Sequence, residues 1–391
     1  MTLSALPLAD IAAEAKEWRR DIHANPELLF DLPRTASLVA ENLKAFGCDE
    51  VATGVATSGV VGVVRGRGGA GKTIALRCDM DALPIHEQTN LPYASKRPGF
   101  MHACGHDGHT AILLGAAKAL TASRAFSGTV VLVFQPAEEG GAGSRVMLEE
   151  GLLERFGIEE VYGMHNLPGL DVGSFSIRPG ALMAAADRFV VTVDGKGGHA
   201  AFPHLCVDPV LISSEITVAA QSIASRLVDP LDSAVLSITY FETGGENALN
   251  VIPATARFGG TLRTLSPRTR KDAEQRFRDI VEKTAAMHGA RATVDWRPGY
   301  PVTINDPEKT KVASAAAARI ATDGTIGECP PMMGAEDFSF MLEKRPGAMI
   351  WLGNGPSADL HNPGYDFNDD AILPGISYWL SLVAQEMKPA A

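Results

Sequence analysis

Three neighbouring stretches decide the fold: Thr73–Met80 "TIALRCDM", Gly108–Ala122 "GHTAILLGAAKALTA" and Gly128–Pro136 "GTVVLVFQP". The first and third are short apolar runs without polar alternation, so they read as strands covered on both faces. The middle stretch is apolar and too long for a strand, which predicts a buried helix. Strand, helix, strand is the signature of a parallel α/β sheet. Outward from this core, "GVVGVV" (59–64) and "EEVYGMHN" (159–166) read as further strands. Ile11, Ala15, Trp18 and Ile22 have helical spacing over 9–24, with Asp10 as the expected N-cap. "RTASLVAENLKAFG" (34–47) predicts a helix closed by Gly47, and "SRVMLEEGLLERF" (144–156) another.

A different grammar starts near Ala185. "DRFVVTVDGKG" reads as a strand and "VDPVLISSEITVAAQSIASRLV" as one long helix. "SAVLSITYFETG" and "ATARFGGTLRTL" are two strands. "SPRTRKDAEQRFRDIVEKTAAMHG" is a helix capped by Ser266, and "ARATVDW" a last strand. The order β-α-β-β-α-β is the ferredoxin-like unit. Its flanks, "SIRPGALMAA" and "RPGYPVTIND", are rich in Gly and Pro and suit linkers that hinge. The expected division is an α/β domain over 1–184 and 298–391, interrupted by an α+β domain over 185–297.

A length of 391 residues suits two domains, and 46% hydrophobic with 21% charged residues is ordinary for a globular chain. The net charge of −11 argues against nucleic acid or an anionic membrane as partner, although a local cationic pocket can sit in an acidic protein. No stretch reaches the roughly 18 apolar residues of a membrane span. The opening residues show no basic start followed by an apolar run, so no secretory leader is expected. The five cysteines are odd in number and scattered, which implies no disulfide framework and makes the cytoplasm the expected compartment.

Chemistry gathers where strands end, the usual ligand position in open α/β sheets. Asp79 and Asp81 follow one strand. "MHACGHDGHT" (101–110) opens a helix, Glu138 and Glu139 follow the next strand, His165 ends another, and His361 lies in "LHNPGYDFND". Each of these residues alone is ordinary: a satisfied histidine, a solvated glutamate, a buried thiol. No C-x-x-C marks a structural zinc site. Thiolate, imidazole and carboxylate together are the donors that hold borderline divalent metals. Of two adjacent carboxylates, one can bind metal while the other moves the proton of an attacking water.

On "DMDALP", "MHACGHDGHTA", "FQPAEEGGAG", "MHNLPGL", "GKGGHAAFPH", "NVIPATA", "GGTLRT", "MGAEDFSF" and "HNPGYDFND", running in order from residue 79 to 369, the chain resembles a known family. It is the amidohydrolase branch of the aminoacylase and carboxypeptidase G metallopeptidases, which includes hippurate hydrolases, N-acyl-amino-acid deacylases and auxin-conjugate hydrolases. The resemblance implies a zinc-peptidase-like α/β catalytic domain with an inserted ferredoxin-like lid and dimerisation domain. It implies two divalent ions, manganese or zinc by family habit, with cobalt or nickel compatible. Their ligands would be Cys104, His106, Glu139, His165 and His361, with Cys104 bridging. Glu138 would be the general base and acid, and Asp81 the aspartate behind the ligands. His199 would polarise the scissile carbonyl from the lid, in its own or a partner's site. Asn250 and Arg263 would contact the substrate's carboxylate end. His102 and His109 are not ligands in this pattern. Cys78, Leu167 and Phe202 depart from the residues common at those positions.

The expected reaction is hydrolysis of the amide of a small N-acyl amino acid, such as hippurate or an N-acetyl amino acid, in a homodimer or higher homo-oligomer. A dipeptidase or carboxypeptidase is the nearest alternative, although family peptidases usually place aspartate where this chain has Cys104. A cysteine hydrolase built on Cys104 would keep full activity after chelation. A non-catalytic binding protein would have no need of Glu138.

Overall fold

A computed structural model describes residues 7–387. The first six residues of the opening segment lie outside them. The chain divides into two compact units. Of the described residues, one unit comprises 7–180, Ile304–Pro330 and 337–387; the other comprises Ala181–Thr303 and Pro331–Glu336.

The first unit opens with helices α1 (Leu8–Ala24) and α2 (Pro33–Phe46). Helix α1 starts earlier than its apolar spacing suggests: Pro7 precedes it without a side-chain cap, and Asp10 lies in its first turn. Helix α2 stops at Gly47, whose φ of 83° only glycine adopts without strain. Strands β1 (Glu50–Val55), β2 (Gly59–Arg65) and β3 (Thr73–Asp79) lead to helix α3 (His106–Ser123) and strand β4 (Thr129–Gln135). The expected helix over 144–156 is two pieces, Gly143–Glu149 and Leu152–Arg155, because Gly151 at φ 82° breaks the turn between them. Strands β5 (Glu160–Leu167) and β6 (Phe175–Ser176) follow.

The second unit contains strand β7 (Ala185–Asp194), helix α4 (Pro209–Ala220), strands β8 (Ala234–Thr243) and β9 (Thr255–Thr264), helix α5 (Pro267–Met287) and strand β10 (Arg291–Pro298). The sheet order is β8-β9-β7-β10, antiparallel throughout, as a ferredoxin-like unit requires. Helix α4 starts at Asp208, whose side chain accepts from the backbone of Val210 and Leu211, and α5 starts at Ser266, which accepts from Thr269. The single long helix expected over 207–228 ends at Ala220 and continues as a wide turn over Ile223–Leu227. Phe189, Val191, Val193, Phe258 and Trp296 face Ile212, Ile216, Phe277 and Val281 in the core of this unit. Residues 331–336 depart from the expected division: the amide of Met332 donates to Leu182, and that of Ala184 to Met332, within the second unit.

The first unit is completed by helix α6 (Pro307–Ala318), strand β11 (Gly347–Gly353) and helix α7 (Ile372–Glu386). Its seven strands run in the order β1-β2-β4-β3-β5-β11-β6. The four central strands β4, β3, β5 and β11 are parallel, and the flanking strands are antiparallel. Strands β3, β4, β5 and β11 are buried almost end to end, which is why their sequences are apolar without alternation. Helix α3 is buried on nearly every side, with α1, α2 and α7 packed around it. That position explains why its sequence is apolar all round rather than amphipathic.

Candidate metal centre

The C-terminal ends of β3, β4 and β5 and the N-terminus of α3 meet at one place in the first unit. Gly105, at φ 92°, turns the chain into α3 and separates Cys104 from His106. A Cβ at this glycine would lie 2.3 Å from Asn166 Oδ1 and 2.7 Å from the Tyr365 hydroxyl, so no other residue fits. After β4 the chain makes a sharp turn with Ala137 at φ 54°, and this turn presents Glu138 and Glu139. Both oxygens of Asp81 hold the turn, Oδ1 accepting from the Glu138 amide at 2.9 Å and Oδ2 from the Glu139 amide at 3.0 Å. His361 also stands in the left-handed region, at φ 65°, with its amide donating to the Ala103 carbonyl at 2.7 Å. Non-glycine residues at such angles cost about 1–3 kcal/mol each and concentrate at functional sites.

Five side chains expected as ligands converge. Cys104 Sγ lies 3.4 Å from His165 Nε2, and His361 Nε2 lies 3.2 Å from Glu139 Oε1. The donor atoms of Cys104, His106 and His165 lie within 4.8 Å of one another, as do those of Cys104, Glu139 and His361 and those of His106, Glu138 and Glu139. Cys104, His106 and Glu139 each belong to two of these groups. The backbone fixes which imidazole nitrogens face the centre. His106 Nδ1 donates to the Asp81 carbonyl at 2.8 Å and His165 Nδ1 to the Asn166 carbonyl at 2.7 Å, leaving both Nε2 atoms available as ligands.

The electrostatics fit divalent cations. His106 Nε2 and Glu139 Oε1 are buried without a hydrogen-bond partner; the 3.2 Å approach of His361 to Glu139 is not aligned as a hydrogen bond. Buried polar atoms are rarely left so. Burial alone would lower the pKa of His106, but Asp79, Asp81 and Glu139 outweigh it and hold that pKa up at about 10. A dication answers the same field and displaces the proton. His165 is driven well below the usual imidazole range, first by burial and then by His109, so its lone pair is free. Burial and then Glu139 and Glu138 push the Cys104 thiol up, the setting in which a metal rather than a neighbouring base would generate thiolate. The Glu139 carboxyl sits below its ordinary range: burial opposes this, but His361 and His106 outweigh it.

Behind these groups lies a layer the sequence showed only in part. Asp79 accepts from His109 Nδ1 at 2.6 Å and from Arg77 at 2.8 Å, so its oxygens are committed and it orients rather than ligates. His109 Nε2 meets Asn166 Oδ1 at 2.7 Å, which places this histidine beside the centre as a support. Arg77, fully buried, also binds Asp337 and Gln135 at 2.9 and 2.8 Å. His102 is buried with neither ring nitrogen hydrogen-bonded, and burial holds its pKa down to about 3. On the far side of α3, Arg19 is wholly buried and bound to Asp107 at 2.8 Å, and His23 binds the same carboxylate oxygen at 2.8 Å. Asp79 and Asp337 stand inside the quoted motifs, whereas Arg77, Arg19 and His23 carry no spacing that points to this place.

The remaining expected residues lie in the second unit. His199 and Asn250 come together where Gly198–His199 pairs with Val251–Ile252, and the Ala200 amide donates to the Asn250 carbonyl at 2.9 Å. His199 is exposed, and its Nδ1 accepts from the Ala201 amide at 3.1 Å, so in the neutral ring Nε2 carries the proton. Arg263 stands elsewhere, on β9, half-buried.

The model of peptidase family M20/M25/M40 matches residues 75–385, which include every element of the centre. The hippurate hydrolase of Campylobacter jejuni is 42% identical over 97% of this chain and 98% of its own length. The N-acetylcysteine deacetylase of Bacillus subtilis is 40% identical over 93% of this chain and 94% of its own. The crystal structure of a dinuclear metal binding peptidase of the M20 family from B. subtilis superposes with a TM-score of 0.85 at 36% identity, covering 96% of this chain and 98% of that one. With the donors gathered at the strand ends and this likeness running the length of the chain, the protein belongs to peptidase family M20/M25/M40.

Proposed function

We propose that the protein is a metal-dependent amidohydrolase that cleaves N-acyl amino acids to a carboxylate and a free amino acid. The observation that carries the reading is the convergence of one thiol, three imidazoles and one carboxylate beside a second carboxylate, Glu138. The similarity to hippurate hydrolase and N-acetylcysteine deacetylase supports the substrate class. Cys104, His106, Glu139, His165 and His361 would hold two divalent ions, with Cys104 shared; sulfur, nitrogen and oxygen donors together suit zinc or manganese, and also cobalt or nickel. Bound there, the ions supply an activated water and polarise the amide carbonyl.

Glu138 takes the water's proton and delivers it to the leaving nitrogen. Its backbone amide donates to Asp81, which holds the turn that presents the carboxylate. His199 Nε2–H donates to the oxyanion of the tetrahedral intermediate. Asn250 and Arg263 contact the substrate's carboxylate end, Arg263 in its own subunit's site and Asn250, with His199, in a partner's, and the unit spanning Ala181–Thr303 serves as the lid that carries these three residues. We assign a homodimer through β8, an edge strand with one unpaired side and exposed Val235, Tyr240 and Phe241. The cytoplasm is the assigned compartment; five unpaired cysteines suit it.

Glu138→Gln tests the reading. The variant should keep the wild-type metal content and lose at least about a thousand-fold in kcat on hippurate and N-acetyl amino acids. Near-normal turnover removes Glu138 from the role. Assaying dipeptides beside these substrates separates the amidohydrolase from a dipeptidase or carboxypeptidase. Light scattering on the purified protein should give twice the 41.3 kDa chain mass.

A further inference from the structure

The sheet of the second unit has an inner face covered by α4 and α5 and an outer face they do not cover. Along β7, buried Asp187 and Phe189 alternate with Arg188 on the outer face; along β9, buried Leu262 and Thr264 alternate with Arg263. The register sets Arg188 opposite Thr261 and Arg263 opposite Ala186. The two arginines are therefore diagonal neighbours, a separation of about 7–8 Å at which long side chains interact. Neither forms a side-chain hydrogen bond or ion pair among the described residues.

Two other arginines on this face have acidic partners. Arg297, opposite Arg188 on β10, is bound to Asp295 at 2.8 Å, and Arg257 faces Glu242 at 3.9 Å. Two unpaired like charges side by side disfavour the folded sheet. Arg263 feels this, since burial and the Arg188 charge lower its pKa from the usual arginine range. The other two corners of this four-residue patch are small, Ala186 and Thr261, and Val235 on β8 lies opposite Arg263. The two cations stand in a chain whose net charge is −11. Two neighbouring cations without acidic partners are suited to a ligand that brings two negative charges.

We propose that Arg188 is a specificity residue: it pairs with a second carboxylate, on the side chain of the leaving amino acid, beside the α-carboxylate held by Arg263. The favoured substrates are then N-acyl aspartate and N-acyl glutamate, whose two carboxylates are separated by a short carbon chain. The inference rests on the role of Arg263 given above. Arginine forks bind carboxylates bidentately, so the second pairing discriminates by geometry as well as charge.

The experiment compares kcat/KM of the metal-loaded enzyme for N-acetyl-L-glutamate and N-acetyl-L-aspartate with that for their neutral isosteres, N-acetyl-L-glutamine and N-acetyl-L-asparagine. The wild type should favour each acid over its amide by about ten-fold or more at low ionic strength, and salt should erode the preference. Arg188→Gln should bring that ratio to within about three-fold, mainly through KM, and Arg188→Lys should restore part of it. A wild-type ratio near one, or a ratio that survives Arg188→Gln, overturns the proposal. Arg263→Gln tests the underlying reading separately, because it should weaken all four substrates alike. If none of the four is turned over, calorimetric binding of free L-glutamate against L-glutamine reads the same preference, and equal affinities overturn the proposal.

Discussion

Gly105 joins two proposed ligands at φ 92°, with Asn166 and Tyr365 against the space where a side chain would begin. Gly105→Ala therefore meets backbone strain and a clash together. The expected result is a loss of metal content and a destabilisation of at least about 2 kcal/mol, seen as a lowered melting temperature and sub-stoichiometric metal by elemental analysis. The cluster in "MHACGHDGHT" was legible because its residue types are rare in this chain and crowd one turn. The supporting residues were less so. Arg77 looks like an ordinary charge on a strand, and only the packed sheet shows it buried between Asp79 and Asp337. His199 could be named by motif, but the accepting role of its Nδ1 follows from a loop conformation that spacing does not encode.

Helix α1 is tied to α3 through buried charges rather than apolar contact alone. His23 shares Asp107 with Arg19, and its pKa is raised to about 9: burial lowers it, but Asp107 and Glu87 prevail. The proton on His23 thus stabilises the fold fully below its unfolded pKa of about 6.5 and is lost as pH rises through about 9. Wild-type stability should fall across that window by up to about 3 kcal/mol, and His23→Gln should flatten the slope in denaturant titrations at pH 6 and pH 9.5. At this scale the sequence read well where periodicity and caps agree, as with Gly47 and Ser266. It failed where a left-handed glycine interrupts an apolar pattern, as at Gly151, because periodicity does not report φ.

In the whole molecule the centre draws its groups from residues 81 to 361, so bound ions cross-link distant parts of one unit. Dialysis against a chelator should abolish turnover and lower the melting temperature, and zinc or manganese should restore both. Ligand held at a hundred times its dissociation constant stabilises by about 2.7 kcal/mol. Full activity in the dialysed protein would instead favour a cysteine hydrolase. The alternation of strands and helices made the two kinds of layer legible. The traffic of 331–336 to the second unit was not, since a short bridging segment carries no pattern of its own.

Strand β11 lies between β5 and β6, although about 170 residues or more separate it from either in the chain. Arg19 waits longer still for its partners, with Asp366 and Asp369 lying 347 and 350 positions away. On the ribosome, the ferredoxin-like insert has all six of its main elements in hand well before β11 emerges. Until then β5 carries a bare edge and α1 a cation without its full set of counter-charges, so the larger unit is closed last, by segments that follow residue 346.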